Sequence, residues 1–170
     1  APRRPRWPGG TPEERQRLGH PGVTRPRVLL GAAPAGRGAG VAARGIPLAV
    51  PGVEAAQRYA KALTGKHAKI HIKLETGMSR LGLPAGSNPA LAAKQALEIA
   101  ATPGLEGEGQ FTHFAGADNP SEAEFTSGQY RAYRAAAERL SEARPAPPPP
   151  HRANIADRLQ PHNPHTTTSH

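Results

Sequence analysis

Large apolar side chains are confined to one stretch of this 170-residue chain. Residues 28–143 hold 22 of the 26 Leu, Ile, Val and Phe, while the two flanks hold four between them, along with 13 of the 20 prolines. Only the middle has the apolar surface for a packed interior. Charge divides in the same way. Residues 1–27 carry seven Arg against two Glu, residues 144–170 three Arg against one Asp, and the middle twelve Lys or Arg against ten acids. The net charge of +9 therefore belongs mainly to the ends.

Several classes of function are excluded at this level. No stretch approaches the roughly 18 apolar residues of a membrane helix, and the Arg-rich start leads into Pro and Gly rather than the apolar run of a signal peptide. A soluble, cytoplasmic protein without a membrane partner is expected. The chain has no Cys, so disulfide frameworks, thiol catalysis and cysteine zinc sites are out. Four of its eight His, His151, His162, His165 and His170, lie in the polar end without helical i, i+4 spacing, and no metal site is expected.

Within the middle, Arg27 to Leu30 and Ile46 to Val50 are short apolar runs and read as buried strands, the second broken by Pro47. The Gly-rich stretch between them lacks the G-x-G-x-x-G spacing of a dinucleotide loop and reads as a plain strand-to-helix connection. Val53, Ala56, Ala60 and Leu63 recur at three and four, the mark of an amphipathic helix. Ala68 to Leu74 alternates strictly, with Ile70, Ile72 and Leu74 on one face and Lys69, His71 and Lys73 on the other. Asn88-Pro89 opens a helix bearing Leu91, Ala92, Ala96 and Ile99 on one side. Gln110 to Phe114 reads as a further strand, a long helix from Glu124 carries Phe125, Ala132, Ala136 and Leu140, and His151 to Asn154 is one more short strand candidate. Strands and helices alternate at spacings that do not suit hairpins. The expected architecture is a parallel β/α sheet or barrel.

In such folds chemistry sits at the C-terminal ends of the strands. Lys73 ends the alternating strand, with Arg80 just beyond a Gly-containing turn; His113 and then Asp118 follow the next strand, and Asn154 ends the last candidate. Each has a plain structural alternative. Arg80 caps a turn or pairs with Glu75, His113 is a satisfied core histidine, and Asn154 terminates a strand. Lys73 is harder to set aside, because an unpaired buried ammonium is costly; Glu75, on the same alternation face, is the nearest acid in sequence.

The segment IHIKLETGMSRLGL, Ile70 to Leu83, resembles the K-x-D-T-G-M-x-R-x-G pattern of alanine racemases, pyridoxal-phosphate enzymes built on a β/α barrel followed by a β-rich domain. GQFTHFAGAD, Gly109 to Asp118, resembles that family's G-x-x-T-H-F-A-x-A-D strand and turn, and the helix bearing Phe125, Gln129 and Tyr130 resembles the one that follows. Weaker similarity runs back to about Thr11 and forward to Ala153-Asn154. The resemblance implies that Arg80 lies near the cofactor phenolic oxygen and the substrate carboxylate. It implies that Lys73 matches a lysine carboxylated in some members, which would make it an anionic partner for Arg80. By the same resemblance His113 lies beside the pyridine ring and Asn154 near the cofactor.

The family's Schiff-base lysine strand has no counterpart in residues 1–27, which contain no Lys, and no sequence corresponds to the second domain with its catalytic Tyr. The expectation is an α/β chain forming an incomplete TIM-type (β/α) barrel of about five of eight parallel strands. Residues 1–26 form an Arg/Pro-rich irregular segment, 27–154 the partial barrel, and 155–170 a polar, disordered tail. The expected ancestral activity is interconversion of L- and D-alanine, with the chain alone inactive for want of both catalytic bases. Homodimerisation, usual in the family, is not carried over to this chain. Two alternatives stand beside this reading: a serine or broad-specificity racemase of the same fold, and a non-enzymatic protein binding nucleic acid or another polyanion through its seven N-terminal Arg. Two unpaired strand edges also imply self-association.

Overall fold

Strict alternation at residues 68–74 produces the longest strand among the described residues, and the rest of the sheet is arranged about it. A computed structural model describes residues 7–9, 27–29, 35–116 and 119–142. In chain order the strands are β1 (Trp7–Gly9), β2 (Arg27–Leu29), β3 (Leu48–Val50), β4 (Ala68–Glu75), β5 (Leu83–Pro84) and β6 (Leu105–Phe111). The helices are α1 (Ala35–Ala42), α2 (Val53–Leu63), α3 (Pro89–Ala100) and α4 (Ala123–Glu142), the last preceded by a 3-10 turn at Pro120–Glu122.

All pairings are parallel. β1, β2, β3, β4 and β6 lie side by side in that order, and β5 adds to the C-terminal end of β4 through Leu74↔Leu83 and Glu75↔Pro84. Parallel neighbours need crossovers, and α1, α2 and α3 supply them between β2, β3, β4 and β6. Among the described residues the main sheet has five strands, not all of them the ones expected. Trp7–Gly9 pairs with β2 inside the segment read as irregular, whereas the strand expected at 151–154 lies outside the described residues.

One face of the sheet makes the core. Ile70, Ile72 and Leu74 pack with Leu48 and Val50 of β3 under Tyr59 and Leu63 of α2, Ile99 of α3, and Tyr133 and Leu140 of α4. Small residues such as Ala56, Ala92, Ala96 and Ala136 let the helices approach closely, which is how a chain poor in large aliphatics fills its interior. The α3 start behaves as its sequence implies: the Leu91 amide donates to Asn88 Oδ1 at 3.0 Å, with Pro89 in the first turn.

Three expectations need correction. Leu91, assigned to the inner side of α3, is 41% exposed; it occupies the first turn, where the buried stripe runs through Ala92, Ala93, Ala96 and Ile99. Phe125, assigned to the inner face of α4, is 46% exposed, because that first turn extends beyond the core and rests against the turn at Gly77. The strand expected at Gln110 to Phe114 instead spans Leu105–Phe111, so Thr112, His113 and Phe114 lie past its end.

β6 also contains an irregularity. Ile70 pairs with Gly107 and His71 with Gly109, which leaves Glu108 as an extra residue between two glycines. Its carboxylate bridges Lys69 Nζ and His71 Nε2, each at 3.4 Å, on the β4 face opposite the core.

If β4 is the centre of the core, Ile72→Ala should cost about 2–5 kcal/mol and Asn88→Ala only about 1 kcal/mol, read from urea unfolding followed by circular dichroism. Equal losses would contradict this hierarchy. Among the described residues β1 and β6 each have one unpaired edge, so the melting midpoint is expected to rise with protein concentration; a concentration-independent monomer transition would show those edges to be covered.

Candidate functional site

A parallel sheet opens chemically at the C-terminal ends of its strands, and the β4 and β6 ends lie together because Lys73 pairs with Phe111. Lys73 lies on the face away from the core, 6% exposed, with Nζ 6.0 Å from the centroid of the Phe111 ring. Beyond β4 the chain reverses through a tight turn that carries Arg80. The Gly77 and Ser79 amides donate to Glu75 Oε1 at 2.7 and 2.8 Å. Ser79 adopts φ 54° and Gly82 φ 137°.

Gly82 is required by space as well as by conformation. A Cβ there would lie 2.7 Å from Glu75 N and 3.0 Å from the Lys73 carbonyl oxygen, both backbone atoms that have little room to give. The turn bearing Arg80 is thus folded directly onto the end of β4.

The exit from β6 is fastened to the same turn. Thr76 Oγ1 and Thr112 Oγ1 are hydrogen-bonded at 2.8 Å in a buried position. Gln129 of α4 reaches both exits, its Nε2 donating to Thr76 Oγ1 at 3.5 Å and its Oε1 accepting from the Ala115 amide at 3.0 Å. One turn further along α4, the Tyr133 hydroxyl donates to the Gln110 carbonyl at 3.3 Å. Phe114, buried, anchors the segment on which His113 stands half-exposed.

Lys73, Arg80 and His113 come together electrostatically. Burial holds the Lys73 amine below its ordinary pKa, Arg80 lowers it further, and Glu75 opposes the shift. The His113 imidazole is also depressed, first by burial and then by the positive charges of Arg80 and Lys73. Among the described residues none of the three has an ion-pair partner within 4 Å. The Arg80–Glu75 pairing offered as an alternative does not form; the Glu75 carboxylate is engaged by turn amides instead. His113 is half-exposed and has no hydrogen-bond partner among the described residues.

Asn154 and Asp118 lie outside the described residues. The sequence reading gave no role to Thr76, Thr112, Gln129 or Glu108. Glu108 had a visible signal in the two glycines flanking it, the usual setting of a bulge; Thr76, Thr112 and Gln129 stand within the motifs that carry the resemblance, but hydrogen bonds across 36 or 53 residues leave no periodicity that would show them to be joined. Among the described residues no cluster of His, Cys, Asp and Glu could hold a metal ion, and no helix is long and apolar enough to cross a membrane.

Parallel strands joined by helices, with polar groups gathered where two strands end, define a member of the β/α-barrel class with only part of the barrel in the described chain. The structure of alanine racemase from Clostridium difficile 630 superposes with a TM-score of 0.78 at 27% identity, over 89% of this chain and 41% of that one. A histidine racemase from Leuconostoc mesenteroides superposes at 0.72 and 26% identity, covering 88% and 39%. In sequence, the alanine racemase of Symbiobacterium thermophilum is 35% identical over 147 residues, 85% of this chain and 37% of that protein. That of Desulfosudis oleivorans is 39% identical over 105 residues, 58% and 27%. The family profile described as alanine racemase, N-terminal domain, matches residues 10–169, and the chain belongs to that family. The match runs into both flanks, beyond the 27–154 that the motifs outlined. The chain spans about two fifths or less of the length of these relatives.

A depressed His113 pKa means that the folded state resists protonation. Its contribution to stability is complete above the ordinary value of 6.5 and falls as the pH drops through it toward the lower folded value. Urea unfolding at pH 8 and pH 5 should therefore show a smaller loss for His113→Gln than for the natural chain; an identical loss would put the imidazole in an unstrained setting. Lys73→Met removes a desolvated ammonium facing Arg80 and should stabilise at neutral pH by roughly 0.5–2 kcal/mol.

Proposed function

We propose that this chain carries the Arg80 side of an amino-acid racemase site that interconverts L- and D-alanine with pyridoxal phosphate. The observation that carries the reading is the convergence of Lys73, Arg80 and His113 at the shared end of β4 and β6, with Arg80 depressing the pKa of both other groups. Three basic groups without an acid at ion-pair distance fit a ligand rich in anionic oxygens. The described residues fit that side of the cofactor; β1, Trp-Pro-Gly, offers no lysine to attach it.

Bound in such a site, pyridoxal phosphate supplies an electron-withdrawing ring that stabilises negative charge at the substrate α-carbon. Arg80, on a turn clamped to β4, binds an oxygen pair with its guanidinium fork. The neutral Lys73 amine favoured by burial and by Arg80 is the form that attacks carbon dioxide, releasing one proton and leaving a carbamate. Counted from the ammonium, two protons pass to solvent, one to free the amine and one on forming the carbamate, and the overall change from +1 to −1 turns the Arg80–Lys73 repulsion into an ion pair. His113 faces the site as an uncharged imidazole near neutral pH and adds no cation to the mouth. Asn154 is assigned to the cofactor by the resemblance alone.

The two bases that exchange the α-proton are not among these residues, so the 170-residue chain by itself is proposed to be inactive. The histidine racemase neighbour favours keeping a second reading of the same site, a racemase for amino acids other than alanine. A cytoplasmic location is part of the proposal, whereas homodimerisation, usual in the family, is not extended to this chain.

Incubated with pyridoxal phosphate and L-alanine, the purified chain should give no D-alanine above a no-protein control; product would overturn the inactivity. Retention of pyridoxal phosphate in equilibrium dialysis should weaken about tenfold in Arg80→Met, the loss of one charge-assisted contact. Equal retention would remove Arg80 from the site.

A further inference from the structure

We propose that Gln129 is a positioning residue: its buried side-chain amide spans the two turns that carry Arg80 and His113 and fixes the spacing between guanidinium and imidazole. This rests on the reading of those two groups as parts of one site. The geometry is a closed bridge. Nε2 donates to Thr76 on the Arg80 turn, Oε1 accepts from the Ala115 amide two residues after His113, and the Thr76 and Thr112 hydroxyls close the gap between the turns at 2.8 Å. Gln129 is 1% exposed, and its Cγ lies where it would meet a Cβ on Gly77 at 3.5 Å, so the amide also backs the turn sterically.

Two features separate this role from general support of the helix. α4 has its own anchorage in Tyr133, Ala136 and Leu140, all within the core cluster, whereas Gln129 lies one turn nearer the N-terminus and directs its side-chain hydrogen bonds to the two turns. Burial first and then the Arg80 charge oppose protonation of the His113 imidazole, and among the described residues neither group has an ion-pair partner within 4 Å. An uncharged side chain holding one donor and one acceptor can tie the turns without neutralising or adding charge. Threonine hydroxyls complete the tie in the same neutral way.

The test uses the full 170-residue chain and follows the His113 ring signals against pH by nuclear magnetic resonance, with Arg80 and Lys73 as the charged groups facing it. In the natural chain Arg80→Met should raise the His113 midpoint. In a Gln129→Met background, and separately in Thr76→Val, the same Arg80→Met change should produce less than about half that shift, the signature of a coupling mediated by the removed group. Thr76→Ser, which keeps the hydroxyl, should restore the full response. An undiminished shift in both Gln129→Met and Thr76→Val overturns the positioning role while leaving the shared site intact. If Arg80→Met does not move His113 in the natural chain, the shared site fails and this proposal with it. Loss of dispersed amide signals in both variants would mark Gln129 as a folding residue and overturn the proposal as well.

Discussion

Like-charge repulsion at the end of β4 is the constraint that the surrounding architecture has to meet. Lys73 and Arg80 stand close enough for each to feel the other, and His113 feels both. Left to electrostatics, the turn bearing Arg80 would swing outward. It is held by backbone packing of Gly82 on β4, by the Glu75 carboxylate closing the turn on two amides, and by the hydrogen-bonded threonines with Gln129. The acid of this turn is engaged by backbone amides rather than paired with Arg80, so the field that a ligand rich in anionic oxygens requires is only partly offset.

What the sequence makes legible here is whatever has a period. Alternation exposes β4, the spacing of three and four exposes α2, and Asn-Pro marks the start of α3; each is a local pattern read by a local rule. The motif residues were legible for a different reason. Lys73, Arg80 and His113 each follow a strand, and a parallel sheet brings strand ends together, so their convergence followed from topology once the alternation of elements was recognised. Asn154, placed by the same rule, lies outside the described residues.

The misses are tertiary. β1 is Trp-Pro-Gly, a composition that strands avoid, and it exists as a strand only because β2 offers an edge to pair with. Phe125 satisfies the helical stripe but belongs to a first turn that overhangs the core, and Leu91 sits at the start of its own helix; period alone does not record where a helix leaves its sheet. On the second face of β4 His71 is 1% exposed and Lys73 6%, while Lys69 at its start stays exposed. A strand in the middle of a parallel sheet is covered on both sides, so His71 and Lys73 are enclosed although they are polar.

That second face is divided by layer. In the layer nearer the start of β4, Lys69 and His71 share Glu108, an acid delivered by the extra residue in β6 and able to reach both because the bulge turns it toward them. In the layer at the strand end, Lys73 meets Phe111 and no acid within ion-pair range among the described residues. One inserted residue thus supplies an acid to Lys69 and His71 and ends its reach there. The register then resumes with Gly109 opposite His71 and Phe111 opposite Lys73, which puts an aromatic ring beneath the Lys73 ammonium where a carboxylate would have paired with it. The positive character of the site is therefore a consequence of strand register as much as of composition: a middle segment close to neutral, with twelve basic residues against ten acids, becomes cationic at one place because its acids are registered elsewhere.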